Sequence, residues 1–250
     1  QICDRHGIQV IEDCAHTMGA AWKGVPSGRH GVVGCYSCQT YKHVNAGEGG
    51  LLVTDDAEVA ARAVMLSGSY MLYERHLAAP DAEVFADLRY TTPNISGRMD
   101  NLRAAILRPQ LANLDTQCAR WNDRYKVLED GVRGTPGLKI VERATVERIV
   151  GSSFQFLLLD WKADDILAVL KRCAARGVEL KWFGAPEPTA FTSKYDSWRY
   201  AASEVMPATD RVLAGIVDMR VPLTFSLDDC ALIARIIRSE VSAVFQAASA

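Results

Sequence analysis

The chain has 250 residues, of which 49% are hydrophobic and 23% are charged, and its formal net charge is -2. These values are ordinary for a globular protein, and they give no long-range field for a polyanion, which argues against nucleic acid as a partner. No run approaches the roughly 20 apolar residues of a membrane span, so we expect no membrane insertion.

The chain starts with Gln1-Ile2-Cys3-Asp4, which has neither an initiator Met nor the basic and apolar regions of a signal peptide. This start is typical of a sequence that begins partway through a helix. We therefore expect the sequence to be an N-terminally truncated part of a longer chain.

In the first half of the chain, short apolar runs predict strands at residues 8–11, 32–38 and 50–54. The polar, glycine-bearing residues 23–31 predict a surface turn, and residues 39–49 an irregular loop. A helix is predicted over residues 57–66, with Asp55 or Asp56 as its cap. Residues 70–93 show little periodicity and are predicted to be mostly loop.

From Asp100 onward an apolar stripe with alternating steps of three and four predicts a long helix, interrupted or kinked by Pro109. A strand at 154–159, a helix at 164–175 and a strand at 178–181 predict a β-α-β unit, and a final helix begins at Ser226. The pattern favours an α/β fold with a domain boundary near residue 113. Residues 1–113 then form part of a larger domain, and residues 114–250 form the long helix and a small C-terminal domain.

Seven cysteines are scattered along the chain, and this odd number without a small-domain framework favours a reducing compartment such as the cytoplasm. Cys35 and Cys38 have the spacing of a redox pair or of half a zinc site. No second pair or spaced histidines complete such a site. Both thiols lie in a predicted core strand, so we interpret them as small apolar core residues. A thiol or metal protein remains an alternative that a metal assay would decide.

Three polar features follow in order: Asp13 and His16 after one predicted strand, Ser37 at the end of the next, and Lys42 in the loop beyond it. Chemistry on pyridoxal phosphate (PLP) needs a lysine amine to hold the cofactor and a carboxylate to keep its pyridine nitrogen protonated. The crevice at the carboxyl ends of strands is where α/β proteins bind such ligands. Each residue taken singly is more often a solvated charge, a helix cap or a packed side chain.

The order of these residues resembles a known family. The segments Val10-Ile11-Glu12-Asp13-Cys14-Ala15-His16, Gly34-Cys35-Tyr36-Ser37-Cys38-Gln39-Thr40-Tyr41-Lys42 and Gly47-Glu48-Gly49-Gly50 look like those of the DegT-type sugar aminotransferases of PLP fold type I. The resemblance is strong over residues 1–67 and thin over 135–210. It implies a mixed-sheet large domain, of which this chain carries the remainder, followed by a smaller C-terminal α/β domain.

The resemblance also implies roles for single residues. Lys42 is then the Schiff-base lysine that carries PLP, and Asp13 is the partner of the pyridinium nitrogen. His16 contacts the cofactor ring or its phenolic oxygen, and Ser37 contacts the phosphate.

A fifth residue, Asn94, corresponds to the family's asparagine that reaches the cofactor phosphate of a neighbouring subunit in a homodimer. Here two extra residues separate it from Arg98 and Met99, so its role stays open.

The resemblance implies a transaminase that moves an amino group from glutamate or glutamine to a keto-sugar or a keto-deoxy sugar acid. Two alternatives stay open. One is a sugar dehydratase of the same fold, although such relatives carry histidine in place of the lysine. The other is a non-catalytic cofactor-binding module. The aromatic-rich residues 181–200 are either an apolar patch of the small domain or a wall facing the sugar.

Overall fold

The computed structural model describes residues 1–68, 72–188, 194–200, 202 and 204–249. The helices of this part of the chain are α1 (Ile2–Arg5), α2 (Ala57–Ser67), α3 (Phe85–Thr91), α4 (Asn101–Ala112), α5 (Leu114–Val132), α6 (Ala163–Ala174), α7 (Pro207–Leu213) and α8 (Leu227–Ser249). Its strands are β1 (Ile11–Asp13), β2 (Ala21–Trp22), β3 (Val25–Pro26), β4 (Val33–Ser37), β5 (Gly50–Val53), β6 (Lys139–Ile140), β7 (Glu147–Arg148), β8 (Ser153–Leu157), β9 (Lys181–Trp182) and β10 (Ile216–Arg220).

The chain divides into two compact units. Unit 1 contains Gln1–Gln117 and Thr145–Val150, and unit 2 contains Cys118–Ala144 and Gly151–Ala250. The division falls inside α5. The domain boundary near residue 113 stays a prediction, because compactness alone does not show that either unit is an independent domain.

A mixed three-stranded sheet in the order β1-β4-β5 forms the centre of unit 1. Strand β1 runs parallel to β4, with Asp13 opposite Cys35, and β5 runs antiparallel to β4, with Gly50 opposite Ser37. The strand predicted at residues 8–11 is misplaced, since β1 begins at Ile11 and ends on the acidic residues. The apolar run predicted a strand, but backbone pairing with β4 decides where it lies.

Helix α2 follows the prediction closely. Asp56 is its N-cap and its side chain accepts a hydrogen bond from the Val59 N–H. The helix ends at Gly68, whose φ of 96° is in the left-handed region that glycine adopts without strain. One of the two carboxylates proposed as the cap is therefore the cap.

One loop prediction in unit 1 was right in part and another was wrong. Residues 23–31, predicted to be a turn, include the turn of a short hairpin between β2 and β3, but Val25 and Pro26 form β3, and β7 pairs with β2. Of residues 72–93, predicted to be mostly loop, 85–91 form α3. Phe85 is completely buried and stacks on Tyr73 at 4.3 Å, so tertiary packing stabilises a helix that local periodicity does not indicate. Residues 70 and 71 of that prediction lie outside the described part.

The long helical region is interrupted, as predicted, but after Pro109 and not at it. Helix α4 continues to Ala112 and α5 begins at Leu114. At the break, the backbone N–H and the side-chain amide of Asn113 both donate to the carbonyl of Pro109, at 3.2 and 2.9 Å. These bonds satisfy a carbonyl at the end of the helix, where the regular ladder stops.

Unit 2 contains a four-stranded sheet in the order β6-β8-β10-β9. Strand β10 is antiparallel to both β8 and β9, so it lies between the two strands of the predicted β-α-β unit. The strand predicted at residues 178–181 is instead β9, and β10 was not predicted. The unit is a split β-α-β arrangement and not a simple one.

Helices α6 and α8 pack together in unit 2, where Phe154 and Phe156 are completely buried on β8. The capping box predicted for the last helix is present, since Ser226 and Asp229 exchange hydrogen bonds between their side chains and backbone N–H groups. Over the ranges that the structure describes, we find no helix with the length and apolar character needed to cross a bilayer.

Candidate active site at the carboxyl ends of the parallel strands

Asp13 is the last residue of β1, and its side chain is exposed. One carboxylate oxygen accepts a hydrogen bond from the Ala15 N–H at 3.0 Å. This bond fixes the carboxylate at the start of the turn that leads to His16. The geometry holds an anionic acceptor at the carboxyl end of a parallel strand, where α/β proteins bind ligands.

Ser37 is the last residue of β4, and its hydroxyl accepts a hydrogen bond from the Gln39 N–H at 3.3 Å. The register places Asp13 beside Cys35, and Ser37 follows two residues later. Since side chains two apart on a strand share a face, and so do register partners on neighbouring strands, Asp13 and Ser37 point to the same side of the sheet. Two of the predicted site residues therefore share one face and one edge.

Lys42 and His16 meet although 26 residues separate them. The Lys42 Nζ lies 2.8 Å from the His16 Nε2. When the lysine is protonated its ammonium can only donate, so the imidazole nitrogen accepts and the other ring nitrogen carries the hydrogen. The loop that follows β4 thus returns to the turn that follows β1, as the predicted site requires.

The loop that carries Lys42 is closed by backbone hydrogen bonds at its base. Cys38 donates to the Gly49 carbonyl at 2.8 Å, and Thr40 donates to the Gly47 carbonyl at 2.9 Å. Gly47 and Gly49 have φ of 89° and 139°, which side chains rarely adopt. Gly47 and Gly49 are therefore required by the backbone of this loop.

His43 was not singled out in the sequence, yet it lies inside the site. Its Nδ1 is 3.0 Å from the carbonyl oxygen of Met18. Because a carbonyl can only accept, Nδ1 is the ring nitrogen that carries the hydrogen. Burial lowers the pKa of His43, the bond to Met18 opposes this, and the nearby His16 and Lys42 lower it further. A neutral His43 consequently joins the lysine loop to the turn that carries His16.

Glu12 is a second residue that the sequence analysis did not assign. Its Oε2 accepts from the Gly28 N–H at 2.9 Å, and its Oε1 accepts from the N–H groups of His30 and Gly31 at 2.5 and 2.7 Å. Burial acts to raise the pKa of Glu12, but these three donors outweigh it and the pKa lies below its usual value. The carboxylate holds the loop before β4 against the end of β1.

A small polar network lies behind the turn after Asp13. The Tyr36 hydroxyl donates to the Ser27 carbonyl, and the Ser27 hydroxyl contacts Thr17 and donates to the Cys14 Sγ at 3.2 Å. Burial, followed by the nearby Cys14 and Glu12, raises the pKa of Tyr36. A neutral phenol that donates to a carbonyl keeps this network intact at neutral pH.

Asn94 lies elsewhere in unit 1, at the C-terminal end of α2. Its Oδ1 accepts from the Ser96 N–H at 2.8 Å, while the neighbouring Arg98 donates to the Gly68 carbonyl at 2.6 Å. Among the hydrogen bonds of the described residues, none that we observe connects Asn94 to Lys42, Asp13 or Ser37. The role expected for it, a contact to a partner subunit, stays a prediction.

The two thiols of the Cys35-Tyr36-Ser37-Cys38 segment differ in environment. Cys38 is completely buried, as expected, but Cys35 is exposed, so the interpretation of both as core residues was wrong for Cys35. Successive strand residues alternate faces and β4 ends between the two thiols, which explains the difference. The described residues contain no group of His, Cys, Asp or Glu side chains suited to a metal ion.

The aromatic-rich segment lies in unit 2. Trp182 is buried on β9 and donates to the Ala214 carbonyl at 2.8 Å, whereas Trp198 stacks on Tyr200 at 5.9 Å and Tyr200 is exposed. Residues 189–193 of this segment are outside the described part. One end of the segment therefore belongs to the core of unit 2, and a sugar-facing role for the rest stays untested.

The site residues fit the chemistry of PLP. An amine on a closed loop, a carboxylate at a strand end and a hydroxyl on the same face supply the three kinds of contact that its aldehyde, pyridine nitrogen and phosphate need. The fit depends on the chemical types of these three groups and on their position at one edge of the sheet.

Comparisons with known proteins point to one family of aminotransferases. Residues 1–238 match the family model described as DegT/DnrJ/EryC1/StrS aminotransferase family. The chain is 42% identical over 120 residues to L-glutamine:scyllo-inosose aminotransferase of Streptomyces griseus, which covers 48% of this chain and 28% of the relative. It is 32% identical over 145 residues to dTDP-3-amino-3,4,6-trideoxy-alpha-D-glucose transaminase of Streptomyces venezuelae, covering 55% and 33%.

Among solved structures, the aminotransferase TlmJ from Streptoalloteichus hindustanus superimposes with a TM-score of 0.78 at 18% identity, covering 97% of this chain and 61% of that chain. At this identity the likeness concerns the fold, and it confirms the predicted α/β fold class. The chain spans about a third or less of these two curated relatives.

Proposed function

Because the chain belongs to the DegT/DnrJ/EryC1/StrS aminotransferase family, we propose that the protein is a PLP-dependent aminotransferase that acts on a ketone of a sugar or sugar-like ring. Membership confirms the resemblance found in the motifs around Asp13, Lys42 and Gly47. For the whole protein, we propose the activity, the substrates and the cofactor contacts.

One observation carries the proposal: the contact between the Lys42 Nζ and the His16 Nε2 at 2.8 Å, beside the strand end that bears Asp13. The contact brings the Lys42 amine to the turn that begins at Asp13, and this supports a site in which the amine and the carboxylate serve one cofactor.

PLP, when bound, supplies an electron sink for the bond to the α-hydrogen of an amino acid. In our proposal, Lys42 Nζ would hold the cofactor covalently, and the Lys42 amine would be the base that moves the α-proton of the amino donor. The Asp13 carboxylate keeps the pyridine nitrogen protonated through a charge-assisted hydrogen bond. His16 contacts the cofactor ring or its phenolic oxygen, and the Ser37 hydroxyl donates to the phosphate.

We infer the substrate classes from the curated relatives. The relative at 42% identity is named for transfer from L-glutamine to scyllo-inosose, a polyhydroxylated ring ketone. Another is named for a nucleotide-linked amino sugar. We therefore propose L-glutamine as the donor, with glutamate as the second choice, and a hydroxylated six-membered ring ketone as the acceptor.

We also propose a homodimer in which Asn94 reaches the cofactor phosphate of the partner subunit. An exposed loop position at the end of α2 is compatible with such a contact. All seven thiols are free, which supports a reducing compartment, and we propose the cytoplasm.

The proposal is tested with the full-length protein, L-glutamine and scyllo-inosose, by measuring the amino product. Asp13→Asn keeps the shape and removes the charge, so turnover should fall on the order of a hundredfold, since a hydrogen bond to a charged group contributes about 3 kcal/mol. The matched control is Asp55→Asn, because Asp55 is almost fully exposed and its ion pair with Arg29 is long, at 3.7 Å. A rate for Asp13→Asn close to that of the control would contradict the assignment.

A further inference from the structure

Gln110, on α4, forms a two-pronged contact with the lysine loop. Its Oε1 accepts from the backbone N–H of Asn45 at 3.0 Å, and its Nε2 donates to the Asn45 carbonyl at 2.8 Å. The two residues are 65 positions apart in the chain. The side-chain amide thus pairs with one backbone residue as a neighbouring strand would.

This contact is held from the helix as well. The Gln110 Nε2 also donates to the Ile106 carbonyl one turn earlier at 3.0 Å. That bond restricts the Gln110 side chain to one rotamer, so its contact with Asn45 costs less side-chain entropy. Helix α4 therefore orients Gln110 toward Asn45.

Asn45 transmits the contact to the reactive residue. Its side-chain amide donates to the Lys42 carbonyl at 3.1 Å, and the Lys42 N–H donates to the Gln39 carbonyl at 2.9 Å. On the opposite side, His43 is bound to the Met18 carbonyl. The backbone of Lys42 consequently lies between two anchors, one on α4 and one on the turn that carries His16.

We propose that Gln110 is a positioning residue that sets the place of Lys42 through Asn45. The proposal rests on the proposed function, since it assumes that Lys42 carries the cofactor. Gln110 touches neither substrate nor reacting atoms in this account. Its removal lets the loop shift, and a reacting atom displaced by about 1 Å costs on the order of a hundredfold in rate.

The test uses Gln110→Met in full-length, PLP-loaded protein. Methionine has a similar volume and helix propensity, so packing is retained while both hydrogen bonds to Asn45 are lost. We expect the loop to shift by less than the 1 Å that costs about a hundredfold, and hence a kcat about tenfold lower. The KM for glutamine should be unchanged, because no substrate contact is removed. The control is Asn113→Ala, which also deletes an amide from this helical region but one bonded only to Pro109 in the described hydrogen bonds.

A second readout is independent of the cofactor. In PLP-free protein, hydrogen exchange of the Asn45 and Lys42 amides should be about tenfold faster in Gln110→Met and unchanged in Asn113→Ala. The Asn45 N–H loses its acceptor, and the loop that carries Lys42 loses its anchor on α4. If Lys42 exchange and kcat both match the control, the positioning role is refuted while the proposed function stands. If the wild-type protein fails to attach PLP at Lys42, the proposed function fails, and the exchange of the Lys42 amide alone decides the role of Gln110.

Discussion

Replacing Glu12 with glutamine keeps the shape of the side chain and removes its charge. In the wild-type protein the two carboxylate oxygens accept three backbone N–H groups, from Gly28, His30 and Gly31. The glutamine amide has only one oxygen. If that oxygen accepts from the His30 and Gly31 N–H groups, the NH₂ group faces the Gly28 N–H, and two donors then face each other. At least one donor then loses its partner.

The size of the effect follows from these contacts. A hydrogen bond to a charged acceptor contributes about 1.5–3 kcal/mol, and Gly28 is buried, so its unpaired N–H is costly. The partial exposure of Glu12 reduces the loss. We expect Glu12→Gln to lower the free energy of unfolding by about 2 kcal/mol.

The assay is urea denaturation of both proteins at pH 7, with Glu58→Gln as the matched control. Glu58 forms an exposed pair with Arg62 one turn along α2, and its loss should cost at most about 0.5 kcal/mol. A Glu12→Gln protein as stable as the control would refute the idea that Glu12 anchors the loop.

The pH dependence gives a further check on Glu12. Its pKa is lower in the folded protein, so its stabilising contribution is complete above the ordinary glutamate pKa and is lost as the pH falls through the lowered folded value. The difference between wild type and Glu12→Gln should stay constant from pH 7 to 5 and shrink only below about pH 4.3. A difference that shrinks already near pH 6 would implicate another group, such as a histidine.

Two further predictions concern unit 2. Gly131→Ala would place a Cβ 2.5 Å from that of Ala234, so α5 and α8 must separate, and we expect a loss of about 1–3 kcal/mol in urea denaturation. Glu240 is almost completely buried, and the guanidinium groups of Arg176 and Arg172, each at 2.7 Å, lower its pKa despite burial. Glu240→Gln should cost about 2–3 kcal/mol, since both arginines are half-exposed and remain partly solvated.

The matched control for Gly131→Ala is Gly97→Ala, where an added Cβ would meet only Ile95 at 3.8 Å. For Glu240→Gln the control is again Glu58→Gln. A Gly131→Ala protein as stable as Gly97→Ala would show that the two helices adjust without cost. A Glu240→Gln protein no less stable than its control would show that the arginines gain as much from water as from the carboxylate.

Elements with a strong local signal could be predicted from the sequence. Helix α2 has a cap at Asp56, a helical apolar period and a glycine at its end, and its predicted bounds differ from the observed ones by one residue. Strand β10 carries an alternating apolar pattern at Val217 and Met219 that the sequence analysis missed, whereas helix α3 has no such signal because long-range packing around Phe85 determines it. The prediction of β1 was shifted because backbone pairing with β4 decides where that strand lies.

The candidate site shows the same limit. Asp13, Ser37 and Lys42 could be assigned because the segments that carry them resemble those of a known family, whereas none of the three would stand out singly. Glu12 acts on residues 16 to 19 positions away, and Gln110 on one 65 positions away. Nothing local distinguishes such side chains from ordinary solvated ones, so only the folded chain reveals them.

The role of Lys42 as the residue that carries the cofactor can be tested directly. The most direct measurement is reduction of the full-length, PLP-loaded protein with borohydride, followed by peptide mapping of the labelled lysine. We expect a phosphopyridoxyl label on Lys42, whose Nζ lies 2.8 Å from the His16 Nε2. A label on Lys23, in the β2–β3 hairpin, or on no lysine at all would contradict it.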